Sequence, residues 1–157
     1  MKLFHLGSGE ALDAEIKEMD EETSAWVKRS SEFSFDWTTE HAYEIYTIYL
    51  LKDDRNILGL MSLIDRPDEY RVHLNLLEVS KSNQGRQKSL DNIAGCLIAF
   101  AAEEAFKRGY FGFVSLEPKT QLIEHYRQQY GFSQYGRYLG IEGTASQQLI
   151  KAYLGYE

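Results

Sequence analysis

The chain has 157 residues, of which 43% are apolar and 26% charged, with a net charge of −7. That length suits one domain with one core, and the balance is that of an ordinary globular protein. The acidic charge argues against nucleic acid or an anionic membrane as partner, since both need a basic footprint, and mildly favours a cationic or amine-bearing ligand.

Lys2–Leu6 reads as a short strand. From about Glu10 to Lys28, Leu12, Ile16, Met19 and Trp26 are spaced roughly as a helical stripe, which predicts one or two helices. Phe33, Phe35 and Trp37 alternate, as extended chain does. Tyr43–Leu51 is β-branched and aromatic and predicts a strand. Residues 52–56 form a turn, 57–64 the returning strand, and 65–69 the next turn.

Tyr70–Ser80 begins with Val72, Leu74 and Leu76 alternating with polar residues. Leu77 and Val79 then become the apolar positions. A one-residue slip moves side chains to the other face unless a bulge absorbs it, and bulges cluster beside active sites. A strand end buried on both faces explains the pattern equally well. A polar loop, Ser80–Ser89, follows. It feeds a long helix with Ile93, Leu97, Phe100, Ala101 and Ala105 on one face, capped by Ser89 or Asp91 and closed by Lys107, Arg108 and Gly109. The free amides and dipole of such a helix start make a physical anion site. Ala94 and Gly95 near the start permit either close ligand approach or close helix–sheet packing. Tyr110–Leu116 reads as a strand parallel to Val72–Ser80, because a strand–helix–strand crossover demands it. Leu122, Tyr126 and Tyr130 stripe a helix that Gly131 stops. Ser133–Ile141 reads as a strand and Ser146–Leu154 as a helix.

Cys96, the single cysteine, allows no internal disulfide and reads as a buried helical thiol. The four histidines show no metal-ligand spacing, so no metal is expected. With no long apolar run and no apolar leader at the N-terminus, the expectation is a cytoplasmic protein of one domain spanning 1–157, with no membrane partner.

The order of elements from about Ile45 to Gly140 resembles the GNAT-type, acetyl-CoA-dependent N-acetyltransferases. Leu76–Ser80 is similar to that family's fourth strand. Leu97–Gly109 is similar to its long helix, which ends Ala-x-x-x-Gly. Tyr126 to Gly131-Phe132 is similar to its Tyr-x-x-x-Gly-Phe signature, with one extra residue before the glycine. The family's pyrophosphate loop, Gln/Arg-x-x-Gly-x-Gly/Ala, is divergent here. Counted back from Leu97 only Ala94 matches, and counted from Gln84 only Gln84 does.

The resemblance implies an α/β (α+β) acyl-CoA N-acyltransferase fold, with a mixed, mostly antiparallel sheet flanked by helices. It implies acetyl-CoA as co-substrate and transfer to a primary amine of a small molecule or peptide. It places cofactor contacts at Val79, Gln84, Gly85, Arg86, Lys88, Asn92, Ala94 and Gly95, with Arg86 and Lys88 supplying charge in place of the missing glycine. It points to Tyr126 as proton donor to the thiolate, a residue that equally serves as a core tyrosine. Glu78 and Glu117, at strand ends, are candidate bases, and His73 is a third. A catalytically silent GNAT-fold protein that binds acyl-CoA or a protein is the alternative, and a homodimer stays open. Tyr135, Tyr138, Tyr153 and Tyr156 also suggest an aromatic interaction surface.

Overall fold

The computed structural model describes residues 1–118 and 122–155. In chain order it contains β1 (Lys2–His5), β2 (Ala11–Glu18), α1 (Glu21–Arg29), β3 (Glu44–Leu50), β4 (Asp53–Arg66), β5 (Arg71–Val79), β6 (Leu90–Asp91), α2 (Ile93–Lys107), β7 (Val114–Leu116), α3 (Ile123–Tyr130), β8 (Ser133–Tyr135), β9 (Tyr138–Ile141) and α4 (Gly143–Leu154). The hydrogen-bonded strand order is β6-β1-β2-β3-β4-β5-β7-β9-β8. β1 pairs antiparallel with β2 and β6, β2 with β3, and β9 with β7 and β8, whereas β5 and β7 run parallel. The expected mixed α/β fold is therefore observed.

The described residues form two compact units, Met1–Ser62 with Leu76–Leu97, and Leu63–Asn75 with Ile98–Glu157, whose boundaries fall inside β4, β5 and α2. In the first unit, Val27, Phe33, Trp37, Ile45, Tyr49, Ile57 and Leu60 pack together, joined by Met19, Trp26 and Leu76. The helix expected over the first part of 10–28 is instead β2. Ala14 and Ile16 are buried in period 2 and pair with β3 in the register Ala14↔Leu50 and Ile16↔Ile48. Leu12 and Ile16 fit either period, and pairing on both sides decides for the strand. Helix α1 starts where Asp20 accepts the Thr23 amide at 2.7 Å, a side-chain N-cap. The alternating Phe33–Trp37 segment is not a strand. Phe33 and Trp37 are buried, Phe35 is 48% exposed, and a 3-10 turn starts at Trp37. The β3–β4 hairpin turns at Leu51–Lys52, so the predicted turn residues Asp53–Asn56 lie in β4.

Gly59 sets the spacing of β4 and the start of α2. A Cβ there would stand 3.0 Å from Ile93 Cγ2 and 3.2 Å from both Ile48 Cγ2 and Leu97 Cδ1. The loop after β5 holds an unexpected strand. β6 pairs with β1 at Phe4↔Asp91 and His5↔Leu90, and α2 begins only at Ile93, after Asn92 in the left-handed region (φ 78°).

In the second unit, Val72, Ile98, Ala101, Ala102, Val114, Leu139 and Ile141 are all but inaccessible. The parallel register is Val72↔Val114 and His73↔Ser115. The predicted strand 110–116 shortens to β7. Phe111 (φ 55°) and Gly112 (φ 72°) turn the chain, and a Cβ at Gly112 would meet Phe106 at 2.5 Å. The predicted strand 133–141 is a hairpin, β8 and β9, turning at Gly136. Gly131 (φ 85°) ends α3 as expected, its amide donating to Arg127 O.

Candidate active site

In the first unit, Glu78 sits at the end of β5 and is buried, although flanked by apolar residues. Its carboxylate accepts the Ser34 amide at 2.5 Å, the Phe35 amide at 3.2 Å and Trp37 Nε1 at 2.9 Å. These three donors fasten the 33–37 segment to the strand. The expected exchange of buried positions is not observed here. Val72, Leu74 and Glu78 are buried, whereas Leu77 and Val79 are half-buried. A buried acid with both oxygens engaged is a scaffold for the segment it holds.

Beyond Val79 the chain is clamped twice. Glu32 accepts the Ser82 amide at 2.9 Å and the Ser82 hydroxyl at 2.6 Å, and these bonds hold its carboxyl below the usual range. Buried Asn83 accepts the Leu90 amide at 2.9 Å and donates to Ser80 Oγ at 2.8 Å, closing the loop between them. Sequence reading missed Asn83, whose only signal is an amide inside a polar run. Of the expected cofactor residues, Gln84 donates to Val79 O at 2.6 Å. Gly85 is left-handed (φ 70°) and exposed. Lys88 pairs with Asp91 at 2.8 Å, which lowers the Asp91 pKa. Arg86 is exposed and has no ion pair among the described residues. Asn92, Ala94 and buried Gly95 line the start of α2. Cys96 N donates to Asn92 O at 2.9 Å. The loop and helix start thus bring Gln84–Gly95 into one stretch with Arg86 as its open cation. Cys96 is fully buried and its thiol is pushed up to about 12, so it stays an inert thiol.

The second unit holds the other expected residues. Tyr126 lies on α3, its ring edge-on to Phe132 at 5.8 Å and tilted against Tyr130 at 5.8 Å. Burial raises its pKa, so the phenol is protonated at neutral pH, and its hydroxyl has no hydrogen-bond partner among the described residues. Glu117 is exposed at the end of β7, 3.9 Å from Arg137 Nε. A cluster that spacing alone does not reveal joins β5 to β7. Arg71 Nη1 donates to Ser115 Oγ at 2.6 Å, and His73 Nδ1 lies 2.9 Å from the same hydroxyl. Register brings these residues together, 42 to 44 positions apart. Among the described residues no group of three or more His, Cys, Asp or Glu is placed to hold a metal, and no helix is long and apolar enough to cross a membrane. Tyr156 of the expected aromatic surface lies outside the described residues.

No protein-family model and no curated protein matches the sequence. Solved structures do match. Nourseothricin acetyltransferase superposes with a TM-score of 0.61 at 14% identity, over 82% of this chain and 98% of its own. Mutant forms of the spermidine/spermine N-acetyltransferase SpeG from Vibrio cholerae give 0.61 at 12% identity, over 87% and 98%. AtaTR bound with AcCoA gives 0.59 at 14%, over 87% and 98%. The chain has the fold of the GNAT acetyltransferases. A GNAT fold at this level of identity is carried by the order and pairing of elements, and the parallel β5–β7 step around α2 is its connecting unit. The residues on that scaffold are this chain's own.

Proposed function

We propose that this chain transfers the acetyl group of acetyl-CoA to a primary amine. The observation that carries the reading is the fold: two acetyltransferases and a protein bound with AcCoA share it over nearly their whole length. SpeG acts on spermidine and spermine, and the net charge of −7 is compatible with a cationic amine here too.

The residues present fit acetyl-CoA. The first amides of α2 precede its first internal bond, Cys96 N to Asn92 O, and a helix start of this kind favours phosphate oxygens. Arg86 adds a cation with no ion pair among the described residues, and half-buried Ala94 adds little bulk at the helix start. Gln84 and Lys88 already have protein partners, so the diphosphate rests mainly on backbone amides and Arg86. In the reaction the amine loses a proton, the thioester carbonyl is polarised, and the leaving thiolate takes a proton. Tyr126 holds its proton at neutral pH and is the donor to sulfur in this reading. Glu117 is exposed, ready to accept a proton directly or through water. Glu78 instead holds the 33–37 segment. The backbone around Val79 serves the carbonyl, its strand end fixed by Gln84.

Calorimetric titration with acetyl-CoA, followed by assay against primary amines, tests the reading. Saturable heat that CoA competes away, with amine-dependent release of CoA, is expected. Heat without turnover would leave a silent binding module, and no heat would reject both.

A further inference from the structure

A cavity of about 590 Å³ lies in the first unit, lined by α1 and by residues of β2 and β4. That is the size of a small-molecule site. Six charged side chains line it: Lys17 from β2, Asp20 at the cap of α1, Glu22 and Arg29 on α1, and Asp54 and Arg55 at the start of β4. Three are acids and three are bases, so the cavity is locally neutral although the chain carries −7. None of the six forms an ion pair with another among the described residues. Trp26 and Ile57 supply the apolar part of the wall.

Two of the charges have partners in the fold. Asp20 accepts the Thr23 amide at 2.7 Å, and the bonds from Thr23 hold its carboxyl below the usual range. Lys17 Nζ stands over the Tyr49 ring at 5.1 Å. Glu22, Arg29, Asp54 and Arg55 are exposed, and their side chains have no hydrogen bond or ion pair among the described residues. On α1 the lining follows an order. Glu22, Trp26 and Arg29 stand at i, i+4 and i+7, which is one face of two helical turns. At 1.5 Å per residue the acid and the guanidinium are about 10 Å apart along the axis, beyond the i+3 and i+4 spacings at which helical ion pairs form. The half-buried indole of Trp26 lies between them, edge-on to Phe33 at 6.5 Å. The helix wall therefore has an acidic end, an apolar middle and a basic end, and Asp54 and Arg55 repeat both signs on β4.

This distribution selects a class of ligand. A polycation meets Lys17, Arg29 and Arg55, and a polyanion meets Asp20, Glu22 and Asp54, so neither gains from the cavity as a whole. A ligand with one charge of each sign finds opposite charge at both ends. We propose that this cavity binds a free amino acid, its ammonium toward Glu22, its carboxylate toward Arg29 and its side chain against Trp26 and Ile57. A guanidinium suits the carboxylate because it presents a planar fork of donors. The assignment rests on the cavity and not on acetyl transfer, and binding is read without turnover.

The test uses the full chain and the common L-amino acids, titrated by calorimetry, with the indole N–H signals of Trp26 and Trp37 followed by ¹⁵N NMR. Trp37 Nε1 donates to Glu78 at 2.9 Å and serves as the internal reference. At least one amino acid is expected to bind saturably, with Kd of about 1 mM or tighter, shifting the Trp26 signal and leaving that of Trp37. The methyl ester of that amino acid, which lacks the carboxylate, and its N-acetyl form, which lacks the ammonium, should each bind at least about tenfold more weakly, the order of one charge-assisted bond. Arg29→Gln should weaken the amino acid by a similar factor and leave the ester unchanged. Glu22→Gln should weaken the amino acid and leave the N-acetyl form unchanged. Both residues are exposed, so both variants should keep the parent's melting temperature. No saturable binding by any amino acid overturns the assignment, as does an ester or N-acetyl form that binds as well as the amino acid. Binding that moves Trp37 but not Trp26, or an affinity unchanged in both variants, overturns it too. The ester and N-acetyl comparisons need no substitution, so they decide the matter even where a variant fails to fold.

Discussion

Glu78 and His73 lie on the same strand, five residues apart, and have opposite fates. Glu78 is a buried acid whose oxygens are taken up by three N–H donors of one segment. His73 is half-buried, bonded through Nδ1 only, with Nε2 free of protein partners among the described residues. A polar group whose hydrogen-bonding capacity is met inside the protein stabilises the fold. A group that is oriented by its neighbours yet keeps one valence open is equipped for a ligand. Tyr126 is of the second kind: its ring is held by aromatic neighbours, and its hydroxyl has no bonded partner among the described residues.

If the contrast holds, the largest effect on stability falls at Glu78. Glu78→Ala strips three donors of their acceptor, one of them the indole of buried Trp37. It should destabilise the chain by roughly 4 kcal/mol, from about 1–3 kcal/mol per stranded donor. Denaturant unfolding measures this. A loss below roughly 1 kcal/mol, with acetyl transfer abolished, would return Glu78 to the role of base. Tyr126→Phe should do the reverse. Its kcat should fall by about 10²-fold or more while the melting temperature and CoA affinity hold, since the ring contacts remain. A lowered melting temperature at full activity would make Tyr126 a core residue.

Gly59→Ala comes next. The added methyl meets Ile93, Ile48 and Leu97 at 3.0–3.2 Å, and the side chains that must yield are buried. Overpacking of this kind costs about 1–3 kcal/mol. An unchanged melting temperature would mean that α2 shifts freely on β4. Charge reversal at Arg86 should weaken acetyl-CoA binding by at least about 1 kcal/mol, and at Lys88 by less, because Lys88 is shared with Asp91. Equal effects, read by titration, would contradict the distinction between paired and open cations.

The smallest effect is on stability against pH. The groups facing His73 are Arg71 on its own strand, Arg66 from β4, Glu69 before β5, Glu117 from the end of β7 and Tyr138 from β9. Its folded pKa lies below the ordinary 6.5, so as pH falls through 6.5 the unfolded chain takes up a proton that the folded chain refuses. Stability contributed by His73 is present above that pH and lost on acidification, until the folded imidazole also titrates. His73→Gln should flatten this slope, and an identical slope would mean His73 titrates normally.

Much of the fold was legible because α2 and α3 carry strong local signals. Ile93, Leu97 and Ala101 mark one helical face, and Gly109 and Gly131 stop their helices at left-handed positions. β2 was not legible, because Leu12 and Ile16 satisfy both periods and only pairing with β1 and β3 selects one. β6 was hidden because two residues carry no period. Trp37 alternates with Phe35, yet only Trp37 is buried, because its indole bonds an acid 41 positions away. At the candidate site, Tyr126, Glu117 and the 84–95 stretch were visible as types in a pattern. The pairing of Lys88 with Asp91, the saturation of Glu78 and the joining of Arg71 and His73 to Ser115 depend on strand register and side-chain direction, which no local window contains.

The central claim is acetyl transfer, and its most direct measurement is release of CoA from acetyl-CoA in the presence and absence of primary amines. The products are followed by mass spectrometry. The account predicts amine-dependent release, with one N-acetylated amine formed per CoA. No amine-dependent release, whether or not acetyl-CoA binds, would contradict it.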